Sequence, residues 1–146
     1  MAELTAEPEV WSTLDFSGLY DKNQQRNEQR RHLALEVLNL IQQGDNLAID
    51  ADTGVGKAIV ALIVHLSLKR NTLFLVPTVE LAYQHYELYK KLKGSAAGCR
   101  VMTGNKPPAK RVSLWQDPNI KLVLATPQTI MNDLRQGIFP RGTSNF

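Results

Sequence analysis

Residues 51–58 read Ala-Asp-Thr-Gly-Val-Gly-Lys-Ala, and they restrict the fold more than any other stretch. A short apolar run, Leu47-Ala48-Ile49, leads into them, and a longer one, residues 59–68, leads out. The order is strand, glycine loop, helix. In such a loop successive backbone N–H groups turn inward and cradle phosphate oxygens. The following helix points its positive N-terminal end at the same anion. Gly54 and Gly56 let the backbone approach without a Cβ clash. Lys57 adds a full positive charge for the outer phosphates. Thr53, Gly54, Val55, Gly56, Lys57 and Ala58 are therefore the candidate phosphate-binding residues.

The match to the P-loop pattern is partial. The pattern has glycine where this chain has Ala51, and Ser or Thr where it has Ala58. The hydroxyl at the second of these positions ordinarily coordinates Mg²⁺. Alanine has no ligand to offer, so a weakened metal site is expected. The bland alternative is a plain strand-to-helix turn with two glycines and a surface lysine.

The rest of the chain continues the alternation. Leu33, Val37, Leu40 and Ile41 recur at helical spacing within residues 26–43, and Gly44 ends that run. Arg26, Arg30 and Arg31 stand near its start, where they oppose the helix dipole. A ligand or the acidic N-terminal arm would explain that misfit. Strands are expected at 47–49, 73–76, 99–102 and 122–125. Helices are expected at 57–69, 79–91, 109–115 and 127–136. Thr78 is placed as an N-cap, and Pro127 opens its helix. Unbroken apolar strands alternating with helices indicate an α/β fold, a parallel sheet covered on both faces.

Length and composition narrow the class. A chain of 146 residues, 43% hydrophobic and 21% charged, is at most one ordinary globular domain. The net charge of +3 is compatible with nucleic acid without arguing for it. Cys99 is the single cysteine, which excludes an internal disulfide or a cysteine zinc site, and it reads as a buried strand thiol. His32, His65 and His85 are scattered and suggest no metal, so they read as surface or core-edge residues. Tyr83, Tyr86 and Tyr89 share one helix and read as packing rather than base stacking. The N-terminus lacks an apolar secretory core, and no run reaches membrane-spanning length. An intracellular, soluble protein of the cytoplasm or nucleus, with no membrane partner, is expected.

Several segments occur in a familiar order. Arg26-x-x-Gln29 lies ahead of the glycine loop. After it come residues 76–84, Val-Pro-Thr-Val-Glu-Leu-Ala-Tyr-Gln, then Met102-Thr103-Gly104, then residues 125–134, Ala-Thr-Pro-Gln-Thr-Ile-Met-Asn-Asp-Leu. Together they resemble the first RecA-like domain of superfamily-two helicases of the DEAD/DEAH type, most like the Hef/FANCM branch. The resemblance implies a P-loop, RecA-like sheet. It assigns Gln29 to the adenine edge and Lys57 to the β- and γ-phosphates of ATP. Pro77, Thr78, Gln84, Thr103, Gly104, Thr126 and Pro127 would face the backbone of a DNA or RNA strand. Simple N-caps are the alternative for Thr78 and Thr126.

The resemblance also implies what is missing. The family's DExD/H box and second RecA-like domain, with its arginine finger, are expected to lie beyond this chain, leaving apolar strand edges open. Mg²⁺ accompanies ATP in the parent family and would be held weakly here. No catalytic or metal-ligating residue is assigned. The expected layout is an acidic arm at 1–21, a partial helicase ATP-binding domain at 22–140 and a tail at 141–146. The expected function is the ATP-binding portion of an ATP-dependent helicase or translocase. The alternatives are an inactive helicase-derived module that binds nucleotide or nucleic acid, and a different P-loop enzyme such as a nucleotide kinase. The threonine-bearing segments after the strands argue against the kinase.

Overall fold

The computed structural model describes residues 6–16, 24–50, 56–68 and 70–139. The chain divides into two compact units. The first comprises Met1–Lys69 with Lys91–Gly94, and the second comprises Arg70–Lys90 with Ser95–Phe146.

The first unit holds a 3₁₀ turn, Glu9–Thr13, and two helices, α1 (Gln24–Gln42) and α2 (Lys57–Ser67). Arg30, Ala34, Val37 and Leu38 form the buried stripe of α1, at helical spacing. Of the four positions expected to form that stripe, Val37 is buried, while Leu33, Leu40 and Ile41 are half-buried. The observed stripe is turned toward Ala34 and Leu38 and includes Arg30. Gly44, with φ at 87°, follows α1 in the left-handed region and closes it. Helix α2 is buried along most of its surface, as its apolar run predicts, with Val60, Leu62 and Ile63 wholly inaccessible.

The acidic arm packs within this unit. Trp11 is 2% exposed, and its indole N–H donates to Ser67 Oγ at 2.5 Å. The Asp15 backbone N–H donates to the Leu92 carbonyl at 2.8 Å. Glu7 pairs with Arg31, whose guanidinium also lies 5.1 Å from the Phe16 ring centre. The arm therefore supplies a counter-charge to Arg31, which lies two turns into α1 rather than at its start.

One expected strand does not form. Residues 45–50 carry no strand structure, and Ala48 and Ile49 are exposed. A strand is stable only through its ladder, and among the described residues 47–49 find no strand to pair with.

The second unit is a βα alternation: β1 (Thr72–Leu75), α3 (Val79–Lys93), β2 (Cys99–Met102), α4 (Pro108–Gln116), β3 (Leu122–Ala125) and α5 (Pro127–Arg135). The last turn of α3 falls in the first unit. The strands form a parallel sheet in the order β1-β3-β2, with β3 central and all four of its residues buried. Register decides which side chains share a face. Leu73 pairs with Val123, which pairs with Arg100, and that face packs against Trp115 and Leu114 of α4 and Ile130 and Leu134 of α5. Phe74 lies on the opposite face, and its ring stands 5.4 Å from that of His85 on α3. The sheet is thus covered on both faces, as its largely apolar strands require. No described helix is long and apolar enough to cross a membrane.

Candidate functional site

The first unit carries Gln29 and the end of the glycine loop. Thr53, Gly54 and Val55 lie outside the described residues. Gly56 is the N-cap of α2, in the left-handed region at φ 78°, and no side chain caps the helix there. Lys57 is exposed at the first helical position, and Ala58 follows it half-buried. With no side-chain cap from Gly56, the first turn offers, among the described residues, backbone N–H groups and a lysine ammonium to an anion. Gln29 is exposed on α1. Its neighbour Arg30 reaches the turn. A Cβ on Gly56 would meet Arg30 Nε at 3.0 Å and Nη2 at 3.2 Å. Glycine is required here twice, by its backbone angle and by the close guanidinium. Nothing in the sequence signalled that contact.

Magnesium fits the described part of this turn poorly. Ala58 presents a methyl group where a hydroxyl ligand would stand, and no group of three or more His, Cys, Asp or Glu among the described residues could hold a metal ion.

The second unit gathers the remaining candidates by register. Leu75, Ala125 and Met102 stand side by side as the last residues of β1, β3 and β2. Residues 76–78, 103–104 and 126–127 therefore leave the sheet at one carboxyl edge, the usual place for a ligand on a parallel sheet. The Val76 N–H donates to the Ala125 carbonyl at 2.9 Å, carrying the alignment one residue further. Thr78 Oγ1 accepts from the Leu81 N–H at 3.2 Å and caps α3. Thr126 Oγ1 caps α5, accepting from the Thr129 N–H at 3.5 Å and lying 3.1 Å from Thr129 Oγ1. Capping uses a lone pair, so the Thr78 hydroxyl keeps its own proton for a phosphate oxygen. Thr103 is buried at 4% exposure, whereas Gly104 beside it is exposed. Pro77 and Pro127 are exposed at the same edge, and Gln84 is exposed further along α3.

A buried polar cluster holds the turn after β2. Arg111 Nε donates to both Asp133 oxygens, at 2.9 and 3.3 Å, and Trp115 Nε1 donates to Asp133 Oδ2 at 3.1 Å. Arg111 Nη1 donates to the Lys106 carbonyl. Asp133 has no accessible surface and Arg111 is 5% exposed. Turn 103–107, α4 and α5 are thereby tied together. The partners lie 22 residues apart in sequence, with no local pattern joining them.

The other polar side chains divide between core and surface. Cys99 is a buried free thiol, as expected. His65 is in the core rather than at its edge: burial, with a smaller push from Lys93, lowers its pKa to about 4. Tyr89 packs, with its hydroxyl donating to the Ala97 carbonyl at 2.8 Å, but Tyr83 is 47% exposed and is not a packing residue.

Residues 31–143 match the DEAD/DEAH box helicase family. The "ATP-dependent DNA helicase MPH1" of Coccidioides immitis is 33% identical over 99 residues, covering 64% of this chain and 9% of that protein. The "ATP-dependent DNA helicase fml1" of Schizosaccharomyces pombe is 31% identical over 111 residues, covering 70% of this chain and 13% of that protein. The chain thus spans a small part of the curated relatives it matches. Among solved structures, a hypothetical ATP-dependent RNA helicase from Sulfolobus tokodaii superposes with a TM-score of 0.60 at 22% identity, over 84% of this chain and 39% of that one. A DEAD box protein from Methanococcus jannaschii gives 0.59 at 22%, over 86% and 38%. Both share the α/β fold expected from the strand and helix order, and the RecA-like form of it that the family resemblance implied. The chain belongs to the DEAD/DEAH box helicase family.

Proposed function

We propose that this chain is the ATP-binding part of an ATP-dependent nucleic-acid helicase or translocase. The turn before α2 receives the nucleotide phosphates, with Lys57 as their main charge and Gln29 on the adenine edge. The carboxyl edge of the sheet receives a nucleic-acid backbone through Thr78, Gly104 and Thr126. DNA is the favoured strand, because the relatives above 30% identity are named DNA helicases. A second RecA-like domain is the expected partner, and the cytoplasm or nucleus the expected compartment.

The observation that carries this reading is the common end of the three strands. Separate sequence segments bring hydroxyls and helix N-termini to one edge, which suits phosphate contacts. Such contacts fix a strand without reading its bases, so binding is sequence-tolerant and weakens with salt.

Replacement by alanine would confuse capping with binding. Aspartate keeps the cap and repels phosphate. Fluorescence polarisation of a labelled single-stranded oligonucleotide should show Thr78→Asp/Thr126→Asp binding about tenfold weaker than wild type. The asparagine pair, which keeps the cap without charge, should stay close to wild type. Unchanged affinity in the aspartate variant would remove the edge from the proposed interface.

One observation favours a second reading, a helicase-derived module that holds nucleotide without turnover. Ala58 takes the place of the metal-binding hydroxyl at the start of α2. Once the chain is fused to the missing half of a homologous helicase, phosphate release that still requires Ala58→Thr would support that reading.

A further inference from the structure

The second unit has a basic cavity that the proposed function leaves unused. It is open, about 760 Å³ in volume, and lies beside the free side of β2 and along the outer face of α4. Arg100, Asn105, Lys106, Lys110, Ser113 and Asp117 line it.

The sequence places three cations there by three routes. Arg100 sits on the edge strand and shares a register row with buried Val123. A charge in that row is tolerable only at a sheet edge, where the side chain can leave sideways. Lys106 ends the turn after β2. Lys110 stands on α4, one turn before Ser113 on the same face. Arg111 and Trp115 point the other way, into the core.

The three cations lack acidic partners. None of them takes part in an ion pair among the described residues, and Asp117 is the single carboxylate in the lining. Lys106 Nζ donates to the Val101 carbonyl at 2.8 Å, and Arg100 Nη1 to the Cys99 carbonyl at 2.7 Å. These bonds cover carbonyls of the edge strand. They use one of three ammonium donors and one of five guanidinium donors, so most of the donor capacity remains for a ligand. Burial, then the charges of Arg100 and Lys110, holds Lys106 below the ordinary lysine pKa. Like charges are crowded here without compensation, an arrangement that an incoming polyanion relieves.

We infer that this cavity binds the phosphodiester backbone of a second nucleic-acid strand, the complementary strand of a duplex arm flanking the strand held at the sheet edge. The inference rests on the proposed function. Two features select nucleic acid over a small anion. The cavity adjoins Gly104 through Asn105 and Lys106, so both surfaces share one turn. It also runs along nine-residue α4, a length of about 13 Å, or roughly four nucleotide steps of a strand.

Lys110 is the safest position to alter, because it is exposed and caps no carbonyl. Binding of a single-stranded oligonucleotide and of a duplex with a single-stranded tail should be compared at several salt concentrations. Wild type should bind the tailed duplex at least about tenfold tighter, with a salt slope steeper by two to three for three extra phosphate contacts. Lys110→Glu should lower tailed-duplex affinity toward the single-strand value and leave single-strand affinity unchanged. Equal wild-type affinity for the two oligonucleotides overturns the inference. So does a Lys110→Glu variant that binds the tailed duplex as wild type does, or that loses both oligonucleotides equally. Competition by tripolyphosphate as effective as duplex, at equal phosphate, also overturns it in favour of a small-anion site. Failure of the single strand alone, with duplex binding still sensitive to Lys110→Glu, would retain the cavity and discard the sheet-edge reading.

Discussion

Leu47-Ala48-Ile49 in the first unit and Leu122-Val123-Leu124-Ala125 in the second have the same kind of sequence and different fates. The second run lies between two parallel partners, and all four residues are buried. The first has no described strand beside it, and Ile49 is 36% exposed. An apolar run states that a segment can be a strand. A ladder partner decides that it is one. The two candidate sites differ in the same way. The sheet edge is set by register over three strands, whereas the described part of the phosphate turn rests on one glycine, one helix end and a neighbouring arginine.

The largest expected effect breaks the second unit. Asp133→Ala leaves Arg111 buried without its carboxylate and should cost about 3–5 kcal/mol. Urea denaturation should show this as a large fall in midpoint. Arg111→Met with Asp133→Leu, which removes both charges, should recover much of the loss.

An acid titration should expose the first unit. The folded pKa of His65 is about 4, below the unfolded value near 6.5, so the unfolded chain takes up this proton first. Stability from this residue is complete above pH 6.5 and falls as the pH drops toward 4. The loss is roughly 3 kcal/mol across that window. Stability measured against pH should be flatter in His65→Gln than in wild type over the same interval.

Gly56→Ala tests how much the phosphate turn depends on a single residue. A left-handed alanine costs roughly 1–2 kcal/mol before the approach of Arg30 is counted. The variant should lose stability and bind a fluorescent ATP analogue more weakly, while oligonucleotide affinity at the sheet edge stays unchanged. The smallest effect belongs to Thr78→Ala, about 1 kcal/mol for a lost N-cap, read as a small shift in urea midpoint. Thr78→Asn should restore it.

Much of the second unit was legible from local signals. Residues 99–102 and 122–125 form strands with the expected bounds, because each is a short run, apolar except for Arg100, with turn residues on both sides. Thr78 and Pro127 marked helix starts because capping chemistry is local. The convergence of Thr78, Gly104 and Thr126 was available only through resemblance, since register is a relation between strands. Arg30 against Gly56, and Arg111 with Asp133, left no trace in sequence, because each contact joins residues on different elements. The basic cavity was half legible: Lys106 and Lys110 lie close in sequence, but nothing in that stretch shows that a strand brings Arg100 to them.

Amide hydrogen exchange, with and without a single-stranded oligonucleotide, tests the sheet edge most directly. Joint protection of the Thr78, Gly104, Thr126 and Gln128 amides, three sequence segments responding as one surface, is the expected result. Protection confined to one segment, or absent from all three while the oligonucleotide is bound, would contradict a nucleic-acid site at the carboxyl edge of the sheet.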